Sequence, residues 1–247
     1  MKKILMAALF LAAVAGVKAQ DQPAKKNKYS NIDLSSRAND HFMIQFGYIN
    51  MGSVPDSIHS SGFSRFFNFY VMFDKPFKSN PHFSLGIGAG LGTDNYFFKN
   101  QYVDLKANAS KLPFRSAVPG TDSANYKKFK LATLMVEVPL ELRYVANPVQ
   151  PDKGIKAALG LKFGYLLKGY TKGKNLVNKT GGSVYGSSYI LKESDKNFLN
   201  STRIVATGRI GMGNFSLSGS YQLTSILKSG AGPDIRPYTI GLTISGL

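Results

Sequence analysis

The feature that most constrains this chain is a two-residue alternation of apolar and polar side chains, recurring in segments bounded by turn residues. From 215 to 223, Phe215, Leu217, Gly219, Tyr221 and Leu223 share one parity, and Ser216, Ser218, Ser220 and Gln222 share the other. Tyr238, Ile240, Leu242 and Ile244 stand opposite Thr239, Gly241, Thr243 and Ser245 in the same way. Phe83, Leu85, Ile87, Ala89 and Leu91 likewise alternate with Ser84, Gly86, Gly88 and Gly90. Successive side chains of a strand point to opposite faces, so each segment reads as a strand with one apolar face. A helix cannot keep this period, and interior glycines would weaken one further.

Eight such strands are expected, over 41–50, 63–75, 82–96, 129–146, 154–170, 200–211, 214–224 and 235–246. Each reaches the length of a tilted bilayer-spanning strand, about 9–11 residues or a little more. The connections after strands two, four and six are short: Pro76 to Pro81, Asn147-Pro148 to Lys153, and Gly211 to Gly213. Those after strands three and five are long, from about Phe97 to Lys128 and from Thr171 to Leu199. Short turns on one side and long loops on the other are the pattern of a barrel in an outer membrane, and an even strand count puts both termini in the periplasm. A soluble sandwich has no reason to sort its loops by parity. The expected fold class is therefore all-β, an eight-stranded antiparallel up-and-down transmembrane β-barrel formed by 41–247.

The polar parity carries charges at mid-strand: Glu137, Glu141, Lys162, Arg203 and Arg209. Such groups suit the interior of a small barrel, where they can pair, and leave the apolar parity for lipid. The short turn near Val149-Gln150 puts Glu137 roughly opposite Lys162 as a cross-strand pair. Arg209 is a further candidate for this network, its register left open by the long loop. An eight-stranded barrel is just wide enough for side chains to fill, so the network is expected to plug the lumen. Pro139 cannot donate to a ladder, yet Leu134, Val136, Val138, Leu140, Leu142 and Tyr144 keep one parity through it. A missing hydrogen bond is expected there, without a register shift. Phe42, Tyr48, Phe63, Phe73, Tyr144, Tyr165, Tyr221 and Tyr238 gather near strand ends, as an interfacial aromatic belt would.

The N-terminus agrees. Lys2 and Lys3 precede an apolar run from Ile4 to Gly16, and Val17-Lys18-Ala19 offers small residues to a signal peptidase. A cleaved signal peptide is expected over 1–19, with Gln20 first in the mature chain and a periplasmic segment over 20–40. The apolar run is shorter than the roughly 20 residues of a spanning helix. There is no cysteine, which excludes disulfides, thiolate metal sites and a lipoprotein anchor. Removing Lys2, Lys3 and Lys18 from the net charge of +17 leaves +14, an excess that points to an anionic partner. Behind an export signal that partner is not nucleic acid; lipid phosphates or a polyanionic surface fit better.

Four stretches carry a resemblance: Arg37-Ala38-Asn39-Asp40-His41-Phe42, Phe73-Asp74-Lys75-Pro76-Phe77-Lys78, Val136-Glu137-Val138-Pro139-Leu140 and Arg236-Pro237-Tyr238-Thr239-Ile240-Gly241-Leu242. In these the chain resembles the PorT-like outer-membrane β-barrel proteins over most of its mature length. The resemblance implies an eight-stranded barrel with periplasmic termini and brings no catalytic residues with it. Functions within that family vary, some members being linked to protein secretion, and a shared fold is not a shared function.

Chemistry is sparse. The three histidines are His41 and His82 at strand starts and His59 in the first outer loop, beside Ser57, Ser60, Ser61 and Asp56. A triad needs a base within reach of its nucleophile, and a flexible polar loop accounts for these residues better. No spacing suits a metal. The run Gly86-x-Gly88-x-Gly90-x-Gly92 lacks the gaps and the helix of a phosphate loop; it makes room for larger neighbours such as Tyr70, Lys162 or Arg209. No catalytic, cofactor or metal site is expected.

The long loops are basic. Between Phe97 and Lys130 seven cations, among them Lys99, Lys106, Lys111 and Arg115, face Asp104 and Asp122; between Thr171 and Asn200 five lysines, among them Lys172, Lys174 and Lys179, face Glu193 and Asp195. A solvated surface or a site for lipopolysaccharide phosphates both fit this charge. The expected function is a non-enzymatic structural or accessory envelope role, adhesin-like or associated with secretion, with envelope or secretion proteins as partners. A narrow channel or small-ligand carrier, a soluble exported lipocalin-like barrel and a lipid-modifying enzyme are the alternatives.

Overall fold

A computed structural model describes residues 41–246 apart from 53, 61–63 and 122. The expected signal peptide and the 20–40 segment lie outside the described residues. The strands in chain order are β1 (Phe42–Asn50), β2 (Arg65–Pro76), β3 (Phe83–Phe98), β4 (Tyr102–Val103), β5 (Phe114–Arg115), β6 (Asn125–Val145), β7 (Ile155–Val177), β8 (Ile190–Ser194), β9 (Thr202–Met212), β10 (Phe215–Gln222) and β11 (Tyr238–Ser245). Eight of them form an antiparallel ring, β1-β2-β3-β6-β7-β9-β10-β11. β11 closes it onto β1, from Met43 opposite Ser245 to Asn50 opposite Tyr238. Closure leaves the ring without a free edge, which is what hydrocarbon demands of a sheet.

Side chains are distributed inside out. Phe67, Phe69, Val71, Leu85, Ile87, Val138, Leu140 and Leu161 are exposed around the outer wall, whereas the polar parity is buried within; Leu159 is 73% exposed and Glu137 0%. The lipocalin-like alternative required the opposite facing and is corrected by this arrangement. Register runs unbroken through Pro139, with Gly90 opposite Glu137 and Ile87 opposite Leu140, while paired positions are missing at Val138 and Pro139.

The sequence reading falls short at the outer ends of the fourth and fifth ring strands. β6 begins at Asn125 and β7 continues to Val177, so Lys172 and Lys174 stand on a strand and not in a loop. β8 pairs with this extension, Lys192 opposite Lys172. A β-bulge separates it from the spanning part: Met135 is opposite Leu166 and Leu134 opposite Lys168, leaving Leu167 as the extra residue. An extra residue reverses which parity faces out. Below the bulge Leu159, Leu161, Phe163 and Tyr165 face lipid; above it Lys168, Tyr170, Lys172 and Lys174 take the outer face, and Thr171 and Gly173 turn inward.

Candidate functional site

The lumen holds two charge clusters. In the first, Glu137 of β6 is central. Arg203 of β9 donates to Glu137 Oε1 from Nη2 at 2.6 Å and from Nε at 2.8 Å. The Tyr70 hydroxyl donates to Oε2 at 2.5 Å, and Lys162 Nζ lies 3.3 Å from the same oxygen. Arg203 also pairs with Asp94. In the second, Arg143 Nε and Arg209 Nη2 reach Glu141 Oε2 at 2.8 and 3.1 Å. Arg143 Nη1 stands 3.6 Å from Asp74 Oδ1, which accepts from the Ser84 hydroxyl at 2.6 Å. Each cluster so described matches two carboxylates with two cations, the condition under which buried charge is tolerated.

These positions refine the expected pairing. Gly164, not Lys162, is directly opposite Glu137, and Lys162 is opposite Pro139, so its amine reaches Glu137 along the diagonal. Arg209 joins Glu141 rather than Glu137. Asp94 and Asp74, absent from the expected network, complete it; both sit on the inward parity of their strands, the signal that identified the others.

Glycines on the facing strands make the room. A Cβ at Gly86 would stand 2.6 Å from Arg143 Nε, and one at Gly164 would stand 2.8 Å from Arg203 Cγ. At Gly92 it would collide with Glu137 Oε2 and come within 2.8 Å of Asn68 Oδ1. That carboxylate is held by Arg203, Lys162 and Tyr70 and cannot swing aside. Gly92→Ala is expected to cost about 1–3 kcal/mol, the range for overpacking, read as a lower unfolding temperature in detergent. Interior cavities of about 20 Å3 beside Gln45, Glu141 and Ser218, and beside Ile49, Asp94 and Arg203, are each large enough for a single water.

Above the clusters the long connections fold into an apolar cap. Met51 and Ile58 of the first, Val103, Leu105 and Leu112 of the second, Phe198 and Leu199 of the third, and Ile226, Leu227 and Ile235 of the fourth share one core with Tyr96, Phe98, Phe129 and Leu166. Backbone bonds tie the loops together: Leu112 donates to Ala231, Lys228 to Phe198, and Asn200 to Ile226, all at 2.8–2.9 Å. The His59 amide donates to Gln101 Oε1 at 2.8 Å, tying His59 to the second connection. The Tyr102 hydroxyl donates to Glu193 Oε2 at 2.5 Å, and burial followed by that carboxylate raises its pKa. Burial followed by nearby Tyr189 and Glu193 pushes Tyr126 up to about 12. Both phenols thus stay neutral at physiological pH.

Lys99, Lys106, Lys111, Arg115 and Lys179 are exposed on the loops, Arg115 Nε lying 3.6 Å from Asp104 Oδ2. Lys172 and Lys174 stand on the outer wall of β7. His82 Nδ1 is 2.9 Å from the Val145 carbonyl, far in the chain from the loop of His59. Among the described residues, no group of three or more His, Cys, Asp or Glu could hold a metal ion.

A closed ring of eight strands with an apolar outer wall and a charged, filled interior defines a transmembrane barrel of the outer-membrane kind. The chain belongs to the family described as outer membrane protein beta-barrel domain, which matches residues 19–228. No curated protein matches it. Among solved structures it is similar to Ail, the attachment invasion locus protein of Yersinia pestis, crystallised with the heparin analogue sucrose octasulfate. That likeness has 13% identity, covers 84% of this chain and 96% of the other, and has a TM-score of 0.32.

Proposed function

We propose that this outer-membrane barrel is a non-enzymatic structural or accessory protein of the envelope whose working surface is its basic outer face. The supporting observation is the double obstruction of the lumen, charge clusters below and an apolar cap above, which disfavours a channel or carrier. The same cap holds the loops in fixed positions, so Lys99, Lys106, Lys111, Arg115 and Lys179 form a standing cationic surface and not a mobile fringe. An adhesin-like or secretion-associated role of the PorT-like kind belongs to this reading, as does a cleaved signal peptide over 1–19 ahead of a periplasmic 20–40 segment. The partner chemistry is anionic: lipopolysaccharide phosphates or an acidic surface protein.

The test is binding of the detergent-folded protein to immobilised lipopolysaccharide across a salt series. Exposed charges lose most of their reach as the Debye length falls from about 10 Å at 0.1 M to about 3 Å at 1 M. Binding should therefore weaken at least tenfold over that range. Affinity unchanged by salt would remove the basic face from the mechanism.

A further inference from the structure

One group of cations lies on the barrel wall, outside the loops. The bulge at Leu167 turns Lys168, Tyr170, Lys172 and Lys174 of β7 to the outside. Lys130 of β6 is directly opposite Lys172, and Lys128 is directly opposite Lys174. On the other side of β7, Lys192 of β8 is directly opposite Lys172. Lys130, Lys172 and Lys192 thus form one row across three strands. Like charges directly opposite in a sheet are destabilising, so a row of three needs a compensating anion. The protein supplies none on this wall: among the described residues no carboxylate lies within ion-pair distance of these three lysines. The acids of β8 and its exit are occupied elsewhere, Glu193 by the Tyr102 hydroxyl and Asp195 by the Asn197 amide.

Height selects the ligand. The outward apolar run on β6 from Tyr144 to Leu134 rises about 25 Å for a strand tilted by about 40°, the height of the lipid-facing band. On three strands of this side of the ring a cation follows the last apolar wall residue: Arg65 after Phe67 on β2, Lys130 beyond Leu134 on β6, Lys168 after Leu167 on β7. The row therefore stands where hydrocarbon gives way to headgroups. Aromatic rings hold it there. Lys130 Nζ is 5.8 Å from the ring centres of both Phe97 and Tyr170, and Lys192 Nζ is 4.3 Å from that of Tyr170. Lys130 Nζ also donates to Asn95 Oδ1 at 2.6 Å. Above the spanning band, partial burial and then the charges of Lys172, Arg65 and Lys192 lower the Lys130 pKa, a cost that an adjacent anion would reverse.

We propose that the wall formed by Lys130, Lys172 and Lys192, with Tyr170 between them, binds the phosphates of a phosphorylated outer-leaflet lipid, the lipid A moiety of lipopolysaccharide. The site rests on the reading above, that the barrel stands in an outer membrane with a basic outer face, and it moves the contact from the loops to the wall.

The test compares three detergent-folded proteins: the parent, the wall variant Lys130→Gln/Lys172→Gln/Lys192→Gln, and the loop variant Lys99→Gln/Lys106→Gln/Lys111→Gln. Heat-modifiable migration establishes that each is folded. Each is titrated with bisphosphorylated lipid A, with dephosphorylated lipid A and with inorganic phosphate. The wall variant should bind bisphosphorylated lipid A roughly 100-fold more weakly than the parent, the sum over three lysines beside an anionic surface. The loop variant should bind nearly as the parent does, and dephosphorylated lipid and free phosphate should bind far more weakly to all three. Without lipid, the wall variant should melt close to the parent, the relief of like charges offsetting the lost contacts of Lys130 and Lys192 with Asn95, Phe97 and Tyr170; a much lower melting point would show those lysines to serve the fold and overturn the site. Parent-like affinity in the wall variant overturns it as well, and free phosphate binding as tightly as the lipid overturns the lipid as occupant. If only the loop variant loses affinity, the wall site fails and the basic-loop reading stands. If neither loses affinity, both fail.

Discussion

Glu137→Leu is expected to destabilise the barrel by about 3–5 kcal/mol, the cost of leaving a buried cation without its partner. The substitution removes the acceptor for Arg203 at 2.6 Å, for Lys162 at 3.3 Å and for the Tyr70 hydroxyl at 2.5 Å together. Asp94 remains to Arg203, so the unpaired charge falls mainly on Lys162. Adding Lys162→Met should recover part of the loss, since exchanging both members of a buried pair for apolar groups is often neutral or better. The measurement is the temperature at which the folded form disappears from a gel of unheated and heated samples. A parent-like temperature for Glu137→Leu would mean that water reaches these cations and that the lumen is wetter than its packing implies.

How much of this was legible in the sequence depends on how local each signal is. Facing is a property of residue i and its neighbours at i ± 2, so the ring strands, their order and the inward charges could be read directly from the alternation. Partnership inside the lumen is a property of register around the ring. The long connection before β9 hides that register, and so Arg209, opposite Ala158 on β7, falls beside Glu141, while Arg203, opposite Gly164, falls beside Glu137. The bulge left a trace in the sequence: the outward parity passes from Tyr165 and Leu167 to Lys168 and Tyr170. The expected strand over 154–170 ran through that change of parity and stopped just past it, which put Lys172 and Lys174 in a loop. The cap left less. Its apolar residues come from four connections without any period, and the loop lysines between them dominate the composition. Runs such as Tyr102-Val103 with Leu105, and Ile226-Leu227, were the available signal, because several large apolar residues in a supposedly solvated loop need something to cover them.

Leu105→Asp separates the two obstructions of the lumen. Leu105 is fully buried in the cap and surrounded by apolar side chains of the other loops, so a carboxylate there has neither water nor a partner and the cap must open to hydrate it. The ring strands hold their own ladder of backbone bonds and their own charge clusters, so the barrel is expected to survive. Protease added to the folded protein should then cut the 99–124 and 223–237 connections, which in the parent are tied together by the bond from Leu112 to Ala231. Heat-modifiable migration of the remaining core should persist. Conductance in planar bilayers should stay at baseline, because Glu137, Arg203, Lys162, Glu141, Arg143 and Arg209 still fill the section beneath. A steady conductance in Leu105→Asp would show that the cap alone closes the pore, and would restore the narrow channel as the function of this barrel.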